Sequence, residues 1–424
     1  MDDQYRQKGR HNGPGRHLPA IAGGRPVRET YLPYARQWIE EDDIRAVTRV
    51  LRSDWLTTGP TLAEFERQFA ARVGARYAVA FSSGTAALHG ACFAAGVGRG
   101  DEVITSPITF AASANCALYL GAKPVFADID PHTYNIDPAE IEKKITPATR
   151  VILPVHFTGQ PCDLDPIHAL AAKHNLTVIE DAAHALGAEY RGCPIGGLSD
   201  MTIFSFHPVK HITTGEGGMV TTNSEEYRQW LLLFRNHGIV RDPDLLVDDQ
   251  GPWYYEMQDL GYNYRLTDIQ AALGLSQLAR LDRFLERRRE IAQMYNEAFA
   301  HLPEVTIPYQ APHARSAWHL YVLALNPDRL KASRRRIFEA LRAENIGVNV
   351  HYIPVYRHPY YRWLGDPDSC SLSGFYCPNA EDLYQRIITL PLFPAMTDRD
   401  VRDVITAVKK VILWYSYSGD VSVH

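Results

Sequence analysis

The sequence predicts an α/β fold: a large domain with a mostly parallel sheet covered by helices, followed by a smaller C-terminal α+β domain. Three observations predict it. From Tyr77 to Asn223, short apolar runs alternate with helical stretches, the order that builds parallel strands joined by crossover helices. A long stretch of helical spacing then runs from Leu266 to Ala300. Beyond Pro308 the order changes to strand, helix, strand and a final helix.

The elements follow in order. Residues 1–28 are polar, rich in Gly and Arg and without apolar period, so a flexible leader is expected. "IEEDDIRAVTRVL" has helical spacing at Ile39, Ile44, Val47 and Val50. "YAVAFSS" is strand-like, and "TAALHGACFAAG" is an alanine-rich helix closed by Gly96. "DEVITSP", "KPVFADID", "RVILPVHF" and "LTVIEDAA" are further strands, separated by the helices "TFAASANCALYLG", "AEIEKKI" and "DPIHALAAKHN". "DMTIFSF" and "GGMVTTN" are the last strands of the large domain, which spans residues 29–265. Leu266, Ile269, Leu273, Leu278, Leu281 and Leu285 form the apolar stripe of the connecting helix that opens the part from 266 to 424. There "HLYVLAL" and "VNVHYIP" are strands, and "RRRIFEALRAENIG" and "DRDVRDVITAVKKVI" are helices.

Composition narrows the function. The chain has 424 residues, of which 46% are hydrophobic and 22% charged, as in an ordinary globular enzyme with a large core. A net charge of −5 gives no electrostatic case for nucleic acid. No apolar run reaches the ~18 residues of a membrane span, and no apolar signal core opens the chain, so a cytoplasmic location is expected. The six cysteines, Cys92, Cys116, Cys162, Cys193, Cys370 and Cys377, are scattered, without a CxxC pair, and fit free thiols. His207 and His211 have a metal-ligand spacing, but Pro208 opposes the helix that would align them, and no metal site is expected. The sequon Asn175-Leu176-Thr177 reads as chance without a secretion signal.

Three groups carry chemistry. In "YAVAFSSGTAAL" a strand runs through Gly84 into a helix at Thr85, where free N–H groups and the helix dipole favour an anion. A routine capped loop is the other reading. Asp181 ends a strand, at the sheet edge where ligands bind in open α/β folds, although Asp also caps helices. Lys210 follows the strand "TIFSF" and precedes the flexible turn "TTGEGG". A surface lysine is an ammonium at neutral pH, whereas burial lowers its pKa and permits imine chemistry. The combination narrows the choice. Pyridoxal 5'-phosphate (PLP) has a phosphate, a ring nitrogen that must stay protonated and an aldehyde that condenses with lysine, and these three groups match its three needs.

The segments "SSGTAAL", "SPITFAAS", "EDAAHALGA", "FSFHPVKHITTGEGG" and "GYNYRLTDIQAALGLSQL" resemble the DegT/DnrJ/EryC1/StrS sugar aminotransferases, over about residues 31–412. "SDWLTTGP", "TSPITFAASANC" and "PVHFTGQPCDL" are most similar to the branch of that family acting in pseudaminic acid biosynthesis. The resemblance implies the fold-type I architecture of PLP-dependent transferases. It implies that Lys210 binds the cofactor aldehyde and later carries a proton, and that Asp181 pairs with the pyridine nitrogen. It places His184 near the ring oxygen, Phe110 on the ring face, and Gly84, Thr85 and Ser205 on the phosphate. Asn263 is expected to reach the cofactor of a partner subunit, making a homodimer part of the active site. Phe110 has a core reading as well, and Arg265 either holds an anion or braces Asn263. Thr57, Arg265, His351 and Tyr352 are the candidate substrate contacts, the last two in a His- and Tyr-rich segment that also suits a domain interface.

The implied reaction moves an amino group from L-glutamate to C4 of a UDP-linked 4-keto-6-deoxy sugar, UDP-2-acetamido-2,6-dideoxy-β-L-arabino-hexos-4-ulose being the leading substrate. Enzymes of the same family acting at C3, on dTDP- or GDP-sugars or on cyclitols remain alternatives. A dehydratase branch with histidine at the lysine position does not fit, because Lys210 is present. A non-catalytic regulator is a distant alternative, and the leader carries no helix-turn-helix pattern.

Overall fold

A computed structural model describes residues 18–248, 250–365 and 376–417. Most of the expected leader, with Cys370 and the last seven residues, lies outside these ranges.

The large sheet has seven strands: β1 (Tyr77–Phe81), β2 (Glu102–Thr105), β3 (Lys123–Phe126), β4 (Thr149–Leu153), β5 (Thr177–Asp181), β6 (Met201–Ser205) and β7 (Gly218–Thr222). Their order across the sheet is β1-β7-β6-β5-β4-β2-β3. The run from β6 to β3 is parallel, as the apolar strands and intervening helices require, and β7 is antiparallel to both β6 and β1. The strands are almost entirely buried because helices cover both faces. After α1 (Glu41–Leu51), one face packs on Phe65 and Phe69 of α2 (Pro60–Val73), and Phe69 meets Phe204 and Phe206 edge-on at 5.0 and 5.4 Å between ring centres. The other face packs on α3 (Gly84–Ala94), whose small residues let it lie close to Val79, Ile203 and Val220. α3 begins at Gly84 because Ser83 is extended and its Oγ accepts from the Ala86 N–H at 3.0 Å.

The single helix expected over 266–300 is two helices, α4 (Asp268–Leu278) and α5 (Leu281–Phe299). Arg280 leaves helical geometry at the junction (φ −108°, ψ 6°), where its guanidinium pairs with Glu40 and Asp43. The break redirects the stripe. Leu281, Phe284 and Leu285 stay in the core under the large sheet, whereas Ile291, Ala292, Tyr295 and Phe299 enter the C-terminal core. That second core surrounds a three-stranded antiparallel sheet of Val305–Thr306, Tyr321–Leu325 and Ile387–Leu390, and includes Val404, Val408 and Val411 of the last helix, Asp398–Tyr415. The segment "VNVHYIP", expected as a strand, makes only a single bridge, Asn349 to Thr389.

Residues 18–28 fall within the expected flexible leader but are docked. The fully buried Glu344 carboxylate accepts from the N–H groups of Ala20 and Val27 at 2.8 Å each, and from Lys410 Nζ at 3.0 Å. Ile21 and Val27 pack on the C-terminal core, and Arg28 pairs with Asp400 and Asp403 at 2.7 Å. These partners lie more than 300 residues away in sequence, so a local reading of polarity misses them. No helix among the described residues is long and apolar enough to cross a membrane.

Gly274 marks how tightly α4 packs on α2. A Cβ there would lie 2.6 Å from Phe65 Cζ and 2.9 Å from both Cε atoms. In a free helix Gly274→Ala would gain about 1 kcal/mol, but forcing a methyl group into a filled core costs about 1–3 kcal/mol. Gly274→Ala is therefore expected to lower the thermal unfolding midpoint, as scanning calorimetry would show. A raised midpoint would contradict the packing.

Candidate active site

The C-terminal ends of β5 and β6 and the N-terminus of α3 open on the same side of the sheet. There a cavity of about 760 Å³ extends to the C-terminal part of the chain. Gly84, Thr85, Phe110, Asp181, His184, Ser205, Lys210, His351 and Tyr352 all line it.

Asp181 is the last residue of β5 and 5% exposed. The following chain turns instead of forming a helix, so the capping alternative does not apply. Its Oδ2 accepts from Ser113 Oγ at 2.7 Å, and its Oδ1 from the Ala183 N–H at 3.1 Å. Burial pushes this carboxyl above its ordinary range, against the lowering effect of both hydrogen bonds and of Lys210. A buried carboxylate in this state favours a cation beside it, such as a protonated ring nitrogen.

Lys210 lies five residues beyond β6, in a turn closed by its own N–H donating to the His207 carbonyl at 2.9 Å. Burial is the main cause that lowers its pKa to about 8; Asp181 acts against the shift and Arg288 adds to it. A free amine is thus accessible near neutral pH, as nucleophilic chemistry requires. Its Nζ lies 3.5 Å from His319 Nε2. His184, His211 and His319 are nearly fully buried, and burial holds each well below the ordinary imidazole pKa. His351 is pushed down to about 3 for the same reason.

The anion end of the cavity is built by α3. Ser83 takes the Ala86 N–H, while the N–H groups of Gly84 and Thr85 have no acceptor among the described residues. Gly84 stands so close to Ser205 that a Cβ would lie 3.0 Å from Ser205 Cβ and 3.2 Å from its Oγ, which keeps this corner open only for glycine. Phe110 is 63% exposed and faces the cavity, so it is not a core residue. His184 Nε2 lies 3.1 Å from the Tyr352 hydroxyl, while its buried Nδ1 has no partner among the described residues. A phosphate at α3, a protonated ring nitrogen at Asp181, an aldehyde at Lys210 and a polar ring substituent at His184 are the groups this arrangement accommodates, and PLP presents all four.

Three expected residues lie elsewhere. Thr57, Asn263 and Arg265 do not line this cavity. Thr57 is exposed and bridges Thr267. Asn263 is also exposed and bridges Asn236, whose Oδ1 accepts from Arg265 Nη1 at 2.6 Å. Arg265 thus braces the Asn263 segment instead of holding an anion in this chain's cavity. Of the substrate candidates, His351 and Tyr352 are in place; His351 Nδ1 lies 2.9 Å from Thr389 Oγ1.

The sequence reading missed Ser113, His319 and Arg288. Ser113 was legible only as part of the alanine-rich helix "TFAAS". His319 lines the cavity and Arg288 holds its backbone carbonyl; both lie more than 75 residues beyond Lys210 and carry no local motif.

The cavity is that of a known family. A profile of the DegT/DnrJ/EryC1/StrS aminotransferase family matches residues 37–409. The spore coat polysaccharide biosynthesis protein SpsC of Bacillus subtilis is 46% identical over 91% of this chain and 98% of its own length. Helicobacter pylori PseC, an aminotransferase involved in the biosynthesis of pseudaminic acid, superposes with a TM-score of 0.84 at 32% identity, covering 91% of this chain and 100% of that one. The putative sugar aminotransferase Spr1654 of Streptococcus pneumoniae, in its PLP form, gives a TM-score of 0.83 at 32% identity, over 90% of this chain and 98% of its own. The fold, the cavity and the extent of these matches together show that the chain belongs to the DegT/DnrJ/EryC1/StrS aminotransferase family.

Proposed function

We propose that this protein is a PLP-dependent aminotransferase moving an amino group from L-glutamate to C4 of a nucleotide-linked 4-keto-6-deoxy sugar. The observation that carries the reading is Lys210, a half-buried lysine whose amine has a lowered pKa, in one cavity with the buried Asp181 carboxylate. When bound, PLP supplies an aldehyde that accepts amines and a ring that withdraws the electron pair of a breaking C–H bond.

The chain's own residues do the rest. The N–H groups of Gly84 and Thr85, with Ser205, hold the phosphate. Phe110 and His184 line the same cavity, where Phe110 would cover the ring and His184 would offer a hydrogen bond to a polar ring substituent. Asp181 keeps the ring nitrogen protonated; at ~4 Å and an effective dielectric of about 20, such a pair is worth about 4 kcal/mol before desolvation. Lys210 Nζ would hold the cofactor aldehyde and would serve as the proton carrier at the carbon that loses or gains the amine. In the first half-reaction glutamate gives up its amine and takes an oxygen from water to leave as 2-oxoglutarate; in the second the amine replaces the C4 carbonyl oxygen of the sugar, which leaves as water.

Two finer points of the reading rest on relatives and a third on the fold. The PseC likeness supports a UDP-linked 2-acetamido-4-keto sugar, and the SpsC likeness supports a sugar destined for a polysaccharide. The position of Asn263, exposed and off its own chain's cavity, supports a homodimer in which it reaches the partner's cofactor.

The decisive assay incubates the protein with PLP, L-glutamate and a panel of UDP-, dTDP- and GDP-linked 3-keto and 4-keto sugars, read by product mass. The UDP-linked 2-acetamido-4-keto sugar should be converted, and Lys210→Arg should lose at least about a hundredfold in turnover. Conversion of 3-keto sugars alone, or full activity in Lys210→Arg, would overturn the reading.

The cleft also sets a pH dependence. Lys210 has a folded pKa lowered to about 8, so the nucleophilic free amine dominates above that value and is lost as pH falls. Cofactor uptake by the cofactor-free protein, followed by absorbance, should slow about tenfold per pH unit below pH 8 and level off above it. A rate unchanged between pH 6 and 8 would contradict the lowered pKa.

A further inference from the structure

Among the described residues Arg288 is the largest fully buried side chain, 1% exposed, on α5. Its Nη1 donates to three backbone carbonyls, those of Trp318 and His319 at 3.2 Å and of Leu392 at 3.1 Å. No carboxylate pairs with it among the described residues. This differs from its neighbour on α5, Arg287, which pairs with Glu290 and Asp398. Removing a guanidinium from water without a counter-ion is costly, and three carbonyls offset only part of that cost. A chain that needed only a link between α5 and the segment before Tyr321–Leu325 would be served as well by a neutral donor.

Two of the three carbonyls held by Arg288, those of Trp318 and His319, belong to the segment carrying His319. The His319 ring is wedged between His184, at 4.4 Å between ring centres, and His211, at 5.5 Å, and its Nε2 is 3.5 Å from Lys210 Nζ. The His319 backbone N–H is fixed too, donating to the Thr158 carbonyl at 2.8 Å. We propose that Arg288 is a positioning residue for Lys210: it seats the His319 ring against the lysine amine, and its unpaired buried charge favours the neutral form of that amine. The proposal rests on the reading of Lys210 as the reactive amine.

The groups facing Lys210 allow the sign to be worked out. Asp181 at the end of β5 favours the ammonium. His184, His207, His211, His319 and His351 surround the amine from the β5 and β6 loops, the Trp318 segment and the C-terminal part, and Tyr352 closes that side. The buried imidazoles are held neutral. Among the described residues Arg288 is the one permanent cation found to act on Lys210, and its charge lowers the lysine pKa, second to burial as a lowering cause. A guanidinium stays charged at neutral pH even when burial depresses it.

Competitive acetylation with acetic anhydride tests this on the full-length chain stripped of cofactor. The rate at Lys210 relative to exposed lysines is read by mass spectrometry across pH. Arg288→Met should move the Lys210 midpoint up by about one pH unit, making its labelling at pH 7 about tenfold slower, whereas Arg288→Lys should keep the wild-type midpoint. Equal profiles in wild type and Arg288→Met, or equal shifts in Met and Lys variants, would overturn the proposal. If Arg288→Met does not fold, His319→Ala replaces it: with the ring gone, water reaches the amine and the midpoint should rise, while an unchanged midpoint is again fatal. Failure of the underlying reading looks different, because then wild-type Lys210 itself takes up no PLP.

Discussion

Asp181 and Lys210 share one cleft because β5 and β6 are parallel neighbours whose C-terminal ends open on the same side. The pairing of Asp181 with Ile203 places the carboxylate beside the strand that leads to the lysine. Parallel strands must be joined by crossover helices, and those helices bury both faces of the sheet. The strand ends therefore emerge from a dry interior, where a carboxylate and an amine act on each other and on a ligand more strongly than at a surface. Gly84 and Thr85 complete the set because α3 starts at the same edge, after β1, in an order that puts β7 between β1 and β6.

The cleft combines few charges with many neutral polar rings. The buried imidazoles contribute hydrogen-bonding atoms without adding charge near the ammonium. Several of those atoms, Nδ1 of His184 and His319 among them, have no protein partner among the described residues. Buried polar atoms without partners are rare in folded proteins, and their gathering around one lysine marks a place built for a ligand. The C-terminal part is indispensable to this enclosure: His351 and Tyr352 form one wall, and α5, rooted in both cores, ties that wall to the sheet.

Much of this was legible in the chain itself. The alternation of apolar strands and helices marks the sheet, and the three reactive positions follow from strand ends and a helix start. Lys210, Asp181, Gly84, Thr85, Phe110, Ser205 and His184 lie where local motifs point. What stayed hidden depends on distant pairs. The break at Arg280 is driven by Glu40 and Asp43, some 240 residues earlier, and the docking of residues 18–28 by the buried Glu344. Thr57 and Arg265 show the converse: good motif positions that the fold does not bring to the cavity. Arg288 is one of three arginines in "ERRRE", and nothing local distinguishes the one that is fully buried.

One measurement reaches the central claim directly. The purified protein is soaked in PLP, reduced with borohydride, digested and mapped by mass spectrometry. The account requires a single phosphopyridoxyl group, on Lys210. A modification spread over surface lysines with Lys210 untouched, or none at all, would contradict it.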